Sequence, residues 1–532
     1  MATEHRGQWL RRQVTSLRLT PRGVVRLLLA SLREQLGGPA RLHVIVLFAC
    51  VLGLSTADLA SLGAIASKLK PALHLDNAQL GVLAAAPSLV AALATLPMGV
   101  LADHARRVRL LAAAVALWSA GMVLAGACAS FEQLLIVRLF LGAATAASAP
   151  LVASLVGDLF WPNERGRIWG YILAGELLGG GFGLIVAGNI AGLSWRAALS
   201  VLAIPSLAIA AGLWKGIPEP ARGGASRVPR GAERLEPEPK GSTKNRSHRH
   251  VERTTKTHKA PVARGSEVAR ALKEAGASPR PELVLDRNPQ GMSIWHATRY
   301  VLRIRTNVAL IVASSLGYFF QSGVNTFGVV FVIASFGVSQ PVATWLLAAI
   351  ALGALAGTIL GGRLADTMLA RGHPAARMVV GGGAFVLSAL LFVPAILSHD
   401  LAIALPIYIL AAVGLGAPNA PMDAARLDIV PGLLWGRAEA IRNMLRTLAV
   451  AAAPLLFGFL SDALATSHHT ATKGLGYQAS GPGLRDGFLL MLIPMIAGGL
   501  IILRNAGRYT RDVATAIASD ENINRHGSER AG

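Results

Sequence analysis

Four ionisable side chains stand inside stretches where water has little access. Asp58 falls in the apolar run from about 43 to 69, and Arg138 lies a turn or two into the run from 132 to 159. Glu176 sits near the middle of the run from 168 to 193, and Arg446 in the run that opens at Arg437. A charge at the centre of a bilayer costs a few kcal/mol unless it faces a polar cavity or a partner, so each is a candidate functional group. A buried guanidinium favours a carboxylate or phosphate. Arg138 and Arg446 are therefore candidate contacts for an anionic solute, and Asp58 and Glu176 are candidate proton carriers. Two alternatives stand beside this. Asp58 could lie near the outer end of its helix and reach the interface, and Arg138 could snorkel to the surface.

Other chemistry finds little footing. No serine, histidine and acid share a catalytic spacing, and no histidine stands in the middle of an apolar span, so an enzyme is not expected. Cys50 and Cys128 both fall inside apolar spans, which argues against a disulfide framework or a thiolate metal site. His248, His250 and His258 have only Glu252 as an acidic neighbour, so neither a metal nor another cofactor is expected. Gly179-Gly180-Gly181-Phe182-Gly183 has no preceding strand and no following Lys-Ser or Lys-Thr, so it reads as a helix-packing surface and not a phosphate loop.

The elements that must position these groups are membrane helices. With 53% hydrophobic and only 15% charged residues, and 57 glycines, the chain reads as an all-α polytopic membrane protein. Twelve apolar spans approach the roughly 20 residues a helix needs to cross a hydrocarbon core. The net charge of +22 does not indicate nucleic acid, because the basic residues gather in residues 1–42, residues 215–305 and the short turns. Segments retained at the cytoplasmic face carry this excess, so both termini are expected inside, with the plasma (inner) membrane as the expected location. Within 1–42, the basic stretch Val24 to Leu36 suits either a helix lying on an anionic leaflet or an unstructured tail.

One phrase organises the spans. Gly99-Val-Leu-Ala-Asp103, followed by Arg106, Arg107 and Arg109, makes a tight polar hairpin between the second and third spans. Gly362-Arg-Leu-Ala-Asp366, followed by Arg371, repeats it 263 positions later. The chain therefore reads as two copies of one membrane unit. The same offset places Gln321, with Asn325 a turn away, opposite Asp58. Toward the end of each half the offset is 270, aligning Asp158 with Asp428 and Glu176 with Arg446. Near Asp428, Pro418 and Pro421 make the tenth span bendable, and Asp423 and Arg426 stand three apart, where they can pair.

The doubled hairpin resembles the signature of the major facilitator superfamily of secondary transporters, over about residues 43–214 and 306–504. Arg-x-x-x-Gly at Arg138 and Gly142 resembles the family's fourth-helix pattern. Departures occur at His104 and Arg106, where the family often has Arg and Gly. An acid in the first helix, Gly361-Gly362-Arg363-Leu364-Ala365-Asp366, and Gly458-Phe-Leu-Ser461-Asp462 look most like the spinster-type members. The acid such families often add after the fourth-helix arginine is missing, since Thr145 and its neighbours are uncharged.

The resemblance implies two pseudo-symmetric six-helix bundles, 43–214 and 306–504, joined by a disordered linker, 215–305, and followed by a short polar tail, 505–532. It implies alternating access to a site near the midplane for a small organic, amphipathic or lipid-like solute, with a proton as one coupling option. Asp58, Arg138, Glu176, Gln321, Asn325 and Arg446 are then the substrate and coupling candidates. Gly99, Asp103, Arg107, Gly362, Asp366 and Arg371 are the gate. A monomer in the bilayer is expected. A multidrug/proton antiporter, or a non-transporting scaffold or receptor on the same fold, is the alternative.

Overall fold

The computed structural model describes residues 36–160, 165–220, 228–229, 232, 276, 278–286, 289, 292–467 and 481–529. Among the described residues, twelve helices are long and apolar enough to cross a membrane. The first six are α1 (Pro39–Leu73), α2 (Asn77–His104), α3 (Arg107–Ala127), α4 (Phe131–Leu159), α5 (Arg165–Ala191) and α6 (Trp195–Gly216). The last six are α7 (Arg305–Phe336), α8 (Gln340–Ala370), α9 (Ala376–Leu397), α10 (Leu401–Ile429), α11 (Trp435–Ser467) and α12 (Gly481–Glu529). An even number of crossings leaves the start of α1 and the end of α12 on one face, here the terminal face. The turns at 74–76 and 337–339 lie on the other, distal face.

Local chemistry sets the ends. Asp76 caps α2 in a capping box, accepting from the Gln79 N–H at 2.6 Å while its own N–H donates to Gln79 Oε1 at 3.1 Å. α7 stops where Gly337 takes φ 64°. α4 is interrupted between Thr145 and Ser148, and α10 between Gly416 and Asn419 with Pro418 in the gap. The two breaks occupy corresponding places in the two halves.

Each set of six helices forms a bundle, and the bundles meet through α1 with α7, α2 with α11, and α5 with α8. Exchanging the halves maps α2–α11 onto α8–α5, as a twofold relation requires. Backbones approach without intervening side chains where glycine allows it. A Cβ on Gly179 of α5 would overlap Gly53 Cα of α1, and one on Gly63 of α1 would overlap the Asn325 carbonyl of α7. The glycine run of α5 is a packing surface, as its sequence suggests.

Two related hydrogen-bonded latches join the bundles at the distal face. Asn77, the first residue of α2, is 2% exposed and donates to Asp462 at 2.8 Å and Ser461 at 3.3 Å on α11. Asp462 also accepts the Ala78 N–H at 2.8 Å, and Lys70 donates to Asn77 Oδ1 at 2.5 Å. Gln340, the first residue of α8 and 263 positions on from Asn77, is 5% exposed and reaches α1, donating to the Ala64 carbonyl and accepting from Ser67.

Two expectations need revision at the terminal face. α12 does not give way to a short polar tail after Arg504 but continues as helix to Glu529. Its extension buries Tyr509, Asp512, Thr515 and Ser519. The end of the expected linker is ordered too. Residues 278–286 lie along that extension, with the Arg280 N–H donating to Thr515 at 2.9 Å, the Leu285 N–H to Ser519 at 3.1 Å, and Arg280 facing Asp512 at 3.3 Å. Helix Ile294–Arg303 follows. Residues 24–35 of the basic N-terminal stretch and the three linker histidines lie outside the described residues.

If the two amide latches hold the distal face shut, Asn77→Ala combined with Gln340→Ala shifts the population toward a distal-open form by roughly 2 kcal/mol, about 1 kcal/mol per latch. Spin labels at Ala72→Cys and Ser339→Cys, in a background with Cys50 and Cys128 replaced by Ser, read this by pulsed dipolar spectroscopy. A longer-distance component should grow in the double variant; an unchanged distribution rules the latches out.

Candidate functional site

Asp58 and Arg138 meet. Arg138 Nη1 donates to Asp58 Oδ1 at 2.6 Å, and Arg138 and Asp58 are 1% and 2% exposed, so the guanidinium turns inward and does not snorkel. The local sequence explains the approach. Pro87 has no N–H, which leaves the Leu83 carbonyl four residues earlier without its helical donor. Arg138 Nε fills that vacancy at 3.1 Å. Gly142, one turn along α4, permits the contact, because a Cβ there would overlap the Pro87 carbonyl oxygen. The second guanidinium nitrogen, Nη2, is buried and has no hydrogen-bond partner among the described residues. The pair is thus a charge-assisted bond with one donor nitrogen in reserve.

Glu176 and Arg446 come from opposite bundles and are both half-buried. Their charges act on each other, yet they form no direct ion pair among the described residues. Arg446 instead stacks on Tyr318, its guanidinium carbon 4.6 Å from the ring centroid. Tyr318 donates to Asn419 at 3.5 Å, and both line a pocket with Gln321, Asp423 and Arg426. Asp423 and Arg426 pair across one helical turn. Gln321 therefore lies in this polar region. Asn325 is exposed, and its carbonyl serves the α1–α7 packing.

The gate motif divides. Gly99 and Asp103 fall in the stretch of α2 whose side chains lie outside the described set. Arg107 is 3% exposed and stays within its own bundle, bonded to Asp158, to Ser154 at 2.8 Å and to the Pro220 carbonyl at 3.0 Å. Glu219 caps α3 by accepting the Arg107 and Val108 N–H groups, each at 2.9 Å. In the second half Asp366 and Arg371 are exposed. The residue that corresponds to Arg107 is Arg377, paired with Asp428; both pairs span 51 positions. The seven extra residues of the second copy therefore enter before Arg377, and the 270 offset already applies there. Gly361, more than Gly362, permits the close approach of α8 to α10, since its Cβ would overlap the Ala417 carbonyl oxygen, whereas one on Gly362 would stand 3.2 Å from the Ala420 side chain.

Sequence reasoning missed Arg377, Tyr509, which donates to Asp428 at 2.5 Å, and the latch residues Asn77 and Gln340. Applying the two repeat offsets to every polar residue, and not only to the hairpins, would have found Arg377 and the Asn77–Gln340 equivalence. Nothing in the sequence marks Tyr509.

A family model described as Major Facilitator Superfamily matches residues 47–454. A probable 4-methylmuconolactone transporter of Cupriavidus pinatubonensis is 29% identical over 140 residues, 25% of this chain and 33% of that protein. A probable L-galactonate transporter of Escherichia coli is 26% identical over 170 residues, 32% of this chain and 37% of that protein. These matches span about a third of each relative's length. The crystal structure of a bacterial homolog to the human lysosomal transporter Spinster, inward-facing and occupied, superposes with a TM-score of 0.67 at 19% identity, covering 88% of this chain and 97% of that one.

Breaking the Asp58–Arg138 pair from either side leaves a buried group uncompensated, at a cost of about 3–5 kcal/mol. A guanidinium without a partner stays charged whereas a carboxylic acid can be neutral, so Asp58→Asn should lower the detergent melting temperature more than Arg138→Gln. The double variant should lose less than the two single losses combined. Strict additivity would mean the two groups do not interact.

Proposed function

The chain belongs to the Major Facilitator Superfamily, and on that premise we propose that it is a secondary transporter carrying a small organic anion across the membrane by alternating access. The observation that carries this reading is the Asp58–Arg138 pair, buried in the first bundle with the Nη2 donor unused. A proton on Asp58 neutralises the carboxylate that Arg138 Nη1 holds, and the guanidinium becomes free for another anion. Arg446, held over the Tyr318 ring beside Gln321 and Asn419, offers a second cationic contact from the other bundle. Two cationic groups suit a carboxylate solute, in keeping with the organic acids named for the two relatives.

In this reading the distal latches close one side while the terminal face gives access, and rocking of 43–214 against 306–504 exchanges the two. The terminal face is cytoplasmic, because the basic residues gather in the turns and segments there. The working unit is a monomer in the plasma (inner) membrane and needs no cofactor beyond the coupling proton.

Purified protein in proteoliposomes tests the proposal with radiolabelled organic acids under an imposed pH gradient. Wild type should accumulate a carboxylate in response to the gradient. Asp58→Asn should lose that accumulation while keeping solute exchange without a gradient. Arg446→Gln should weaken apparent affinity about tenfold or more, as expected for loss of a charge-assisted bond. Uptake indifferent to the gradient in wild type rejects proton coupling, and unchanged affinity in Arg446→Gln rejects its substrate role.

A further inference from the structure

Helix Ile294–Arg303 lies outside the candidate site and within the segment that sequence assigns to the linker. Ser293 caps it, its hydroxyl accepting the His296 N–H at 3.3 Å. Ile304 then breaks the helix with extended backbone, and α7 begins at the next residue, Arg305. The helix has two distinct faces. Ala297 and Val301, with Ile304 just beyond, are buried where it packs on α7 and α11. Tyr300 donates to the Leu283 carbonyl at 2.9 Å, and burial pushes its hydroxyl up to about 12, so it remains a neutral donor that ties the helix to residues 278–286.

The opposite face carries Trp295, Arg299, Leu302 and Arg303, with His296 alongside. Trp295 is 74% exposed and Leu302 41% exposed. Positions 295, 299 and 302 share one stripe by the i, i+4, i+7 rule. A stripe serving only solubility would have no use for an indole, and one serving only apolar packing would exclude the arginines. The combination of tryptophan and leucine with arginines suits the headgroup zone, where an indole has both an apolar and a polar neighbour and a guanidinium meets phosphate. Depth agrees, because a single residue separates this helix from one that crosses the bilayer.

We propose that helix 294–303 is an interfacial anchor, which lays Trp295 and Leu302 into the leaflet at the terminal face and binds anionic phospholipid headgroups through Arg299 and Arg303. The surface is separate from the transport reading and stands or falls without it. Its partner is a lipid surface of negative charge.

The test uses the full chain in nanodiscs of phosphatidylcholine, with and without phosphatidylglycerol. The difference in emission between wild type and Trp295→Phe isolates one indole among the nine tryptophans. That signal should be quenched by phosphatidylcholine spin-labelled near the headgroup and should shift to the blue when phosphatidylglycerol is present. Arg299→Gln with Arg303→Gln should reduce co-purified phosphatidylglycerol bound at this surface, about fivefold per arginine, without moving the melting temperature. Quenching by aqueous iodide but not by lipid would overturn the proposal by placing the stripe in water. Quenching by neither would overturn it by showing that a protein segment covers the stripe. Unchanged phosphatidylglycerol retention would overturn the headgroup role of the two arginines.

Discussion

A hydrocarbon environment offers no hydrogen bonds, so a polar group within it is costly unless it finds a partner in the protein. The consequences begin at one carbonyl. Pro87 strips Leu83 of its helical donor, and the replacement comes from Arg138 on a different helix. Placing that guanidinium in the bundle then requires a counter-charge, which Asp58 supplies, and a close approach, which Gly142 permits. A backbone defect in α2, an arginine in α4 and an acid in α1 are three parts of one solution. The pair that carries the proposed function is also what makes the proline tolerable.

The same rule shapes the contact between bundles. Asn77 and Gln340 begin corresponding helices, where backbone N–H groups lack partners, and both side chains reach across to the opposite bundle. Asp462 adds a carboxylate to the first turn of α2, where the helix dipole favours negative charge. Hydrogen bonds at a rim can break and re-form against water, unlike the glycine contacts of Gly53 with Gly179 deeper in the first bundle. Exchangeable polar contacts therefore stand at the distal rim between the halves, beside glycine-mediated backbone approaches such as Gly63 against the Asn325 carbonyl.

Much of this was legible in the chain. Twelve spans and a doubled hairpin suffice for the fold, because hydrophobic length and repetition are local properties. Asp58 and Arg138 were each conspicuous as charges in apolar runs, but their partnership was not, since nothing about residues 80 positions apart announces a bond. Arg371 drew attention by following Asp366 directly, whereas the pair with Asp428 falls to Arg377, beyond a turn that lengthened in the second copy. Residues past Arg504 looked too polar to matter. They form a helix because Tyr509, Asp512, Thr515 and Ser519 find partners on distant segments, which local composition cannot report.

The connection between the halves is fastened at both ends. Val228 donates its N–H to the Leu159 carbonyl, and Ala232 accepts from Ala40, beside the first bundle. Residues 280–286 are pinned to the α12 extension of the second. The span of chain that bridges the halves is therefore shorter than the distance in sequence from α6 to α7 suggests. A cut anywhere between these anchors would leave each new end moored to its own half, so the leash could be severed without unmooring either bundle.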